Sequence, residues 1–371
     1  MILRGMAISW LIFLSFFNLY ANTITITTDK LKNTKLLSNL AKPWAFDFLN
    51  PKEIIMTLKK GKLIKINLKN NKQTPIEGLP KVRSIGQGGL LDVKVAPDYY
   101  TSHKIFITYS KKVDKGVTTA LISGILNKNK LTMIKELFVA KTISTKGQHF
   151  GSRITFDNKY IYISIGDRGY RHRAQMLDYH NGKIIRLNLD GTVPKDNPFY
   201  KTKNALPEIY SYGHRNPQGL FFDKFSKKLW NGEHGPRGGD EVNLITAGKN
   251  YGWPVITYGK EYYGPSIGEG TKRPGMEQPE YYFVPSIAPS DLLIYSGKLF
   301  KSLKGHIFQG ALKLRHINVL IKQPNGKYEE TRIVQNIGRV RSIRENELGE
   351  IYFATDSGQL YRLTKSFKDS K

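Results

Sequence analysis

Beyond its N-terminal segment the chain shows no sustained helical period; apolar positions come in short runs. The runs at residues 53–58, 104–109, 160–165 and 350–354 alternate with clusters of Gly, Asn, Asp and Lys. Runs of roughly four to six residues bounded by turn formers predict strands. One pattern recurs: a Gly, then Lys or Gln, two apolar or aromatic residues, a basic residue and an apolar one. It stands at Gly61-Lys62-Leu63-Ile64-Lys65-Ile66, Gly182-Lys183-Ile184-Ile185-Arg186-Leu187 and Gly358-Gln359-Leu360-Tyr361-Arg362-Leu363. In two copies a strand and a polar turn come just before, residues 54–58 and 351–355. This predicts a strand–turn–strand unit repeated around the chain, the signature of a β-propeller. A pair of β-sandwiches does not predict the recurring hairpin.

The N-terminal segment reads differently. Residues 1–21 carry one positive charge, Arg4, ahead of a stretch from Met6 to Leu19 whose polar interruptions are Ser9, Ser15 and Asn18. That is a secretory signal ending at Ala21, too short for a membrane span, which needs about 20 apolar residues. No later segment is long and apolar enough to cross, so the expectation is a periplasmic or secreted chain with no membrane span after signal removal. The mature part, residues 22–371, is read as a single domain. Its roughly 350 residues divide into six blades of about 60 or eight of about 44, and the spacing favours six. The fold expected is all-β, a six-bladed β-propeller with long loops forming a cleft on one face.

Composition narrows the chemistry. With 0 Cys, thiolate metal sites, disulfides and a Cys nucleophile are excluded. The net charge of +28 raises the question of nucleic acid. The Lys residues are scattered in twos and threes with no long basic run, which argues against it. There is no dinucleotide-binding GxGxxG before a helix, no phosphate loop, no HExxH and no GxSxG nucleophile elbow. The His residues lack metal-ligand spacing, which argues against zinc.

Three stretches are too dense in Gly, His, Arg and Asn to be plain strands. They are Gly147-Gln148-His149-Phe150-Gly151-Ser152-Arg153, Gly213-His214-Arg215-Asn216-Pro217-Gln218-Gly219, and Glu233-His234-Gly235-Pro236-Arg237-Gly238-Gly239-Asp240-Glu241. The last is followed by Asn250-Tyr251-Gly252-Trp253-Pro254. Gly beside polar residues in loops permits close approach of backbone to a ligand. Carbonyls and carboxylates at the Gly-Pro-rich acidic turn suit calcium, although Asp240 and Glu241 read equally well as a solvated turn.

These segments resemble the glucose/sorbosone dehydrogenase family, the soluble aldose sugar dehydrogenases that depend on pyrroloquinoline quinone (PQQ). The likeness is ordered along most of the chain. It begins at Pro43-Trp44-Ala45-Phe46 and passes through Gly86-Gln87-Gly88-Gly89-Leu90-Leu91-Asp92 and Ile165-Gly166-Asp167. It takes in the three dense stretches and ends at Ile287-Ala288-Pro289-Ser290 and Arg339-Val340-Arg341.

The resemblance implies a six-bladed propeller with the cofactor over one end, in a basic cleft. It implies that Arg215, Asn216, Lys313, Arg339 and Arg341 hold PQQ, and that His149 is the general base in oxidation of an aldose at the anomeric carbon to a lactone. It further implies that Arg215 stabilises charge on the reduced quinone, that Gln87 touches the sugar, and that calcium binds the carbonyls of Gly235 and Pro236. A second, structural calcium is expected near Glu241 and the Tyr251 carbonyl. His214 and His234 are expected to support neighbouring ligand positions. Electrons then pass to an unidentified acceptor, a cytochrome or a quinone. The run Arg168-Gly169-Tyr170-Arg171-His172-Arg173 departs from the family, being unusually basic beside the His149 segment. Two readings stand for it: it admits an acidic or phosphorylated sugar, or it faces solvent. Two other functions stay open, a calcium-dependent lactonase on a six-bladed propeller and a non-enzymatic propeller that binds a glycan or protein.

Overall fold

A computed structural model describes residues 31–142 and 144–366; the signal expected over residues 1–21 lies outside them. The described strands pair into six four-stranded antiparallel sheets. Their inner strands, in chain order, are Pro43–Asn50, Leu90–Val95, Gly151–Phe156, Pro217–Asp223, Pro289–Ile294 and Val340–Glu345. Each packs against the next, and Pro43–Asn50 packs against Val340–Glu345, so the ring closes. Five blades are meanders of consecutive strands. In the sixth, Leu31–Leu37 pairs with Leu360–Lys365 as the outermost strand. The fold is the six-bladed β-propeller that the repeat predicts.

The recurring hexapeptide is the third strand of three blades: Lys62–Asn67, Lys183–Asn188 and Leu360–Lys365. Its apolar positions are buried between blades. Its basic position reaches a carboxylate in every copy: Lys65 to Glu53 at 3.8 Å, Arg186 to Asp196 at 3.0 Å and Arg362 to Glu350 at 3.6 Å. The pattern therefore records both burial and a local ion pair.

The inner strands carry charge into the central channel. Arg153 lies 3.0 Å from Asp92 and 3.3 Å from Asp291; Arg344 lies 2.5 Å from Asp291 and 3.4 Å from Asp92. These four side chains come from four different blades and are buried. Two guanidinium groups thus balance two carboxylates in a place that water does not reach. A buried charge is tolerated where it is paired and hydrogen-bonded. Arg153 has further acceptors, the carbonyls of Gln218 and Ser290.

Topology then selects one end of the ring. Loops that enter inner strands and loops that join second to third strands all emerge there. Every inner strand also has an irregular register within its first residues, at Pro43/Ala45, Leu90/Val93, Gly151/Ile154, Pro217/Gly219, Pro289/Leu292 and Val340/Ser342. Bulges re-aim side chains and are frequent beside active sites. The exception to meander logic is the excursion 246–280 in the fourth blade. It pairs with the third blade through the Tyr212–Asn250 bridge, and Trp253 donates from its backbone N–H to the Gly213 carbonyl. This carries Tyr251 and Trp253 to the functional end.

Candidate active site

A cleft of about 450 Å³ opens over that end. Trp44, Leu91 and Phe150 give it apolar walls, and Lys42, Lys59, Arg339 and Arg341 give it four cations against one carboxylate, Asp356. Asp356 sits between the arginines, 3.0 Å from Arg339 and 2.8 Å from Arg341. Arg341 also donates to Gln218 Oε1 at 2.9 Å. Burial, then repulsion from Arg341 and Lys42, pushes the Lys59 ammonium below its ordinary range. Surplus positive charge in a half-enclosed cleft fits an anionic ligand, and planar guanidinium groups suit carboxylates. Lys313 is exposed on the loop that Arg339 grips through the Leu312 carbonyl at 3.1 Å.

Of the sequence-derived candidates, Gln87, Asn216, Arg339 and Arg341 line this cleft, whereas Arg215, Gly235, Glu241 and Tyr251 border a smaller cavity. Arg215 is nearly buried, lies over the Trp253 ring at 5.2 Å, and donates to the carbonyls of His234 at 3.1 Å and Gly235 at 2.7 Å.

His149 sits in a left-handed turn with φ 52°. Its backbone N–H donates to Gln87 Oε1 at 2.8 Å, so Gln87 holds the base as well as facing the cleft. The turn is crowded by backbone: a Cβ on Gly86 would lie 2.1 Å from the Gly147 carbonyl oxygen, and one on Gly166 2.0 Å from that of His149. Only glycine permits these two crossings.

The ring of His149 meets Asp167, Nδ1 to Oδ1, at 2.7 Å. Asp167 Oδ1 also accepts from the Gly169 N–H at 2.7 Å, and Oδ2 from the Trp253 indole N–H at 2.9 Å. Burial alone would raise the Asp167 carboxyl. The His149 bond, with Arg215 and the Gly169 N–H, outweighs burial and holds it below the usual range. An ionised Asp167 fixes the proton on Nδ1 and leaves Nε2 as an acceptor. Burial also lowers His149, against the pull of Asp167 and with help from Arg215 and Arg168, so the imidazole is neutral near pH 7.

Sequence reasoning gave Asp167 and Trp253 no role, although both stand in the matching segments. The signal was available: an acid two residues after the strand Tyr160–Ile165, in a Gly-rich turn. Lys42, Lys59 and Asp356 were also missed, because single Lys and Asp residues carry no mark in a Lys-rich chain.

The turn 235–239 is held by Asp240, which accepts from the N–H groups of Gly235 at 2.8 Å and Ala288 at 2.7 Å. The Pro236 carbonyl accepts from Ser286 at 3.2 Å. Next to this turn is a second cavity, of about 10 Å³, bordered by Glu233, Gly235, Glu241 and Tyr251. That is about the space of one water or ion. Glu233 and Glu241 face each other across adjacent strands and share the Asn243 amide at 3.2 Å. Burial, then the Glu233 charge, pushes the Glu241 carboxyl well up. Paired acids beside main-chain carbonyls fit a hard cation. Among the described residues no cluster of three or more His, Cys, Asp or Glu side chains stands at metal-binding spacing, so such a site relies on carbonyls. His214 is buried under Tyr251, stacked at 4.7 Å, and hydrogen-bonds Ser211 at 2.9 Å.

The basic run divides in two. Arg168 is turned inward and fully buried, contrary to both readings made of it. Arg171 pairs with Glu261 at 2.6 Å, and Arg173 stacks on Tyr170 and Tyr179 at 4.4 and 4.5 Å.

The chain is 38% identical over 356 residues to aldose sugar dehydrogenase YliI of Escherichia coli K12, covering 93% of this chain and 95% of that protein. The crystal structure of the soluble Escherichia coli aldose sugar dehydrogenase in the apo form superposes with a TM-score of 0.87 at 37% identity, covering 91% of this chain and 100% of that one. Quinoprotein glucose dehydrogenase B of Acinetobacter calcoaceticus is 33% identical over 258 residues, 62% of this chain and 53% of that protein. The profile of glucose/sorbosone dehydrogenases matches residues 40–362, and the chain belongs to that family.

Proposed function

We propose that this protein oxidises aldoses at the anomeric carbon to lactones, with PQQ and calcium as cofactors and His149 as the base. The observation that carries the reading is the pairing of a carboxylate-held, neutral His149 with a cleft that has four cations and one acid. The relatives named above, a quinoprotein among them, support it.

When bound, the quinone supplies a hydride acceptor and calcium a Lewis acid. The chain's own residues do the rest. Arg339, Arg341, Lys313 and Asn216 bind the carboxylate-bearing ligand, with Lys42 and Lys59 adding charge. Asp167 holds Nδ1–H of His149, so Nε2 takes the proton of the anomeric hydroxyl. Gln87 fixes the His149 backbone and contacts the sugar. Arg215 adds positive charge beside the reacting centre, where preorganised charge counts most. The Gly235 and Pro236 carbonyls hold the catalytic calcium. Glu241, with Glu233 opposite and the Tyr251 carbonyl, holds the second. The expected signal implies export, and an unidentified acceptor removes the electrons.

The lactonase reading needs an open carboxylate cluster at the channel centre. Asp92 and Asp291 are instead bound by Arg153 and Arg344. The test is His149→Ala in metal-free chain resupplied with PQQ and calcium, followed by dye reduction on glucose, galactose, xylose and maltose. The expected loss in kcat is about 10²–10⁴-fold with quinone affinity retained. A variant that turns over like the unaltered chain contradicts the assignment.

A further inference from the structure

Arg168 has no part in the roles assigned so far, yet it is a fully buried arginine one residue after Asp167. Its guanidinium donates through Nη1 to the Gln148 carbonyl and through Nη2 to the carbonyls of Lys146 at 2.8 Å and Val117 at 3.2 Å. The same group lies over the Phe150 ring, its central carbon 3.4 Å from the centroid. Its charge is opposed by Asp167, its chain neighbour, rather than by a carboxylate in an ion pair. Burial pushes it down to about 10, so it remains a cation at neutral pH.

Burying a guanidinium is costly unless its hydrogen bonds are well made. Here Nε has no partner among the described residues, and two of the three bonds fall on one short segment, 146–148. Gln148, before His149, is held by its carbonyl, and Phe150, after it, is held by its ring. His149 lies between them in the left-handed turn. We propose that Arg168 is the positioning residue for His149, holding the Gln148 carbonyl on one side and the Phe150 ring on the other while Asp167 fixes the imidazole. The inference rests on His149 being the base. It also accounts for the inward turn of Arg168, which has a φ of 55°: the carbonyls of 117, 146 and 148 converge on a point that only a long, branched donor satisfies.

Arg168→Met keeps length and packing on Phe150 but removes the donors; Arg168→Lys keeps the charge and part of the bonding. Both are compared with the unaltered chain and with His149→Ala, each loaded with PQQ and calcium, using the aldose on which the unaltered chain is fastest. Misplacing a catalytic group by about 1 Å costs on the order of 10²-fold. The expectation for Arg168→Met is therefore a fall in kcat of about 10–100-fold, with KM and quinone affinity within threefold of the unaltered chain. Arg168→Lys falls between, and millimolar guanidinium restores part of the lost kcat. In the ligand-free chain the downfield proton resonance of His149 Nδ1–H broadens in Arg168→Met. A folded Arg168→Met with kcat within threefold overturns the inference. So does a variant that loses quinone affinity and stability along with kcat and gains nothing from lysine or guanidinium, for that is a structural role alone. If His149→Ala is itself unaffected, the base assignment falls, and this inference with it.

Discussion

Asp167→Asn probes the dyad with the least change in shape. Oδ1 of Asp167 accepts from His149 at 2.7 Å and Gly169 at 2.7 Å, and Oδ2 accepts from the Trp253 indole at 2.9 Å. All three partners are donors while the proton is on Nδ1. An amide has one oxygen, so either orientation sets its NH₂ against at least one N–H. With oxygen toward His149, the Trp253 bond is lost. With nitrogen toward His149, the ring must hold its proton on Nε2 instead, and it then has no free acceptor for the sugar hydroxyl. A charge-assisted hydrogen bond is worth about 1.5–3 kcal/mol. At about 1.4 kcal/mol per factor of ten, its loss lowers kcat by about 10–150-fold. The negative charge that raises the His149 pKa disappears as well, so the remaining base is weaker. Steady-state dye reduction at saturating aldose, with quinone affinity measured in parallel, reads the effect. A kcat within threefold of the unaltered chain refutes the role given to Asp167.

Asp291→Asn removes one of two carboxylates from the channel and leaves Arg153 and Arg344 short of an acceptor; denaturant unfolding at pH 7 is expected to show a loss of about 3–5 kcal/mol. Arg341→Lys keeps charge but loses the fork that now engages Asp356 and Gln218; quinone binding, read by fluorescence, is expected to weaken about 10-fold. His149 has a folded pKa below 6.5, so the unfolded chain binds that proton first as pH falls. Stability linked to this group is complete above 6.5 and lost as pH falls through the folded value. An NMR titration of the ligand-free chain is expected to give a His149 midpoint below 6.5, and a midpoint above 7 contradicts the burial argument.

Much of the fold was legible because blade hairpins are local. The hexapeptides at 61–66, 182–187 and 358–363 record a buried strand and a nearby counter-charge within short spans. His149 stands out in the sequence because glycines surround it, and the backbone crossings at Gly86 and Gly166 require them. The channel charges do not. Arg344 and Asp92 stand 252 residues apart, and nothing within either strand marks the one as partner of the other. The closing strand Leu31–Leu37 was also hidden: its Lys-Asn-Thr-Lys centre reads as a turn and becomes strand through pairing with Leu360–Lys365. Arg168 was misread because its fate depends on carbonyls from three other positions, and no local pattern encodes that. The loop 246–280 hides its reach in the same way, since only packing against the third blade brings Trp253 to Asp167.

The central claim is that a carboxylated quinone and calcium together make this chain an aldose dehydrogenase. Reconstitution tests it most directly. Metal-free protein receives PQQ, calcium, both or neither, and the aldose product is identified by mass spectrometry and by its hydrolysis to the aldonic acid. The account predicts turnover only with both additions and a lactone as first product. Turnover without the quinone, or no tight binding of the quinone to the chain, contradicts it.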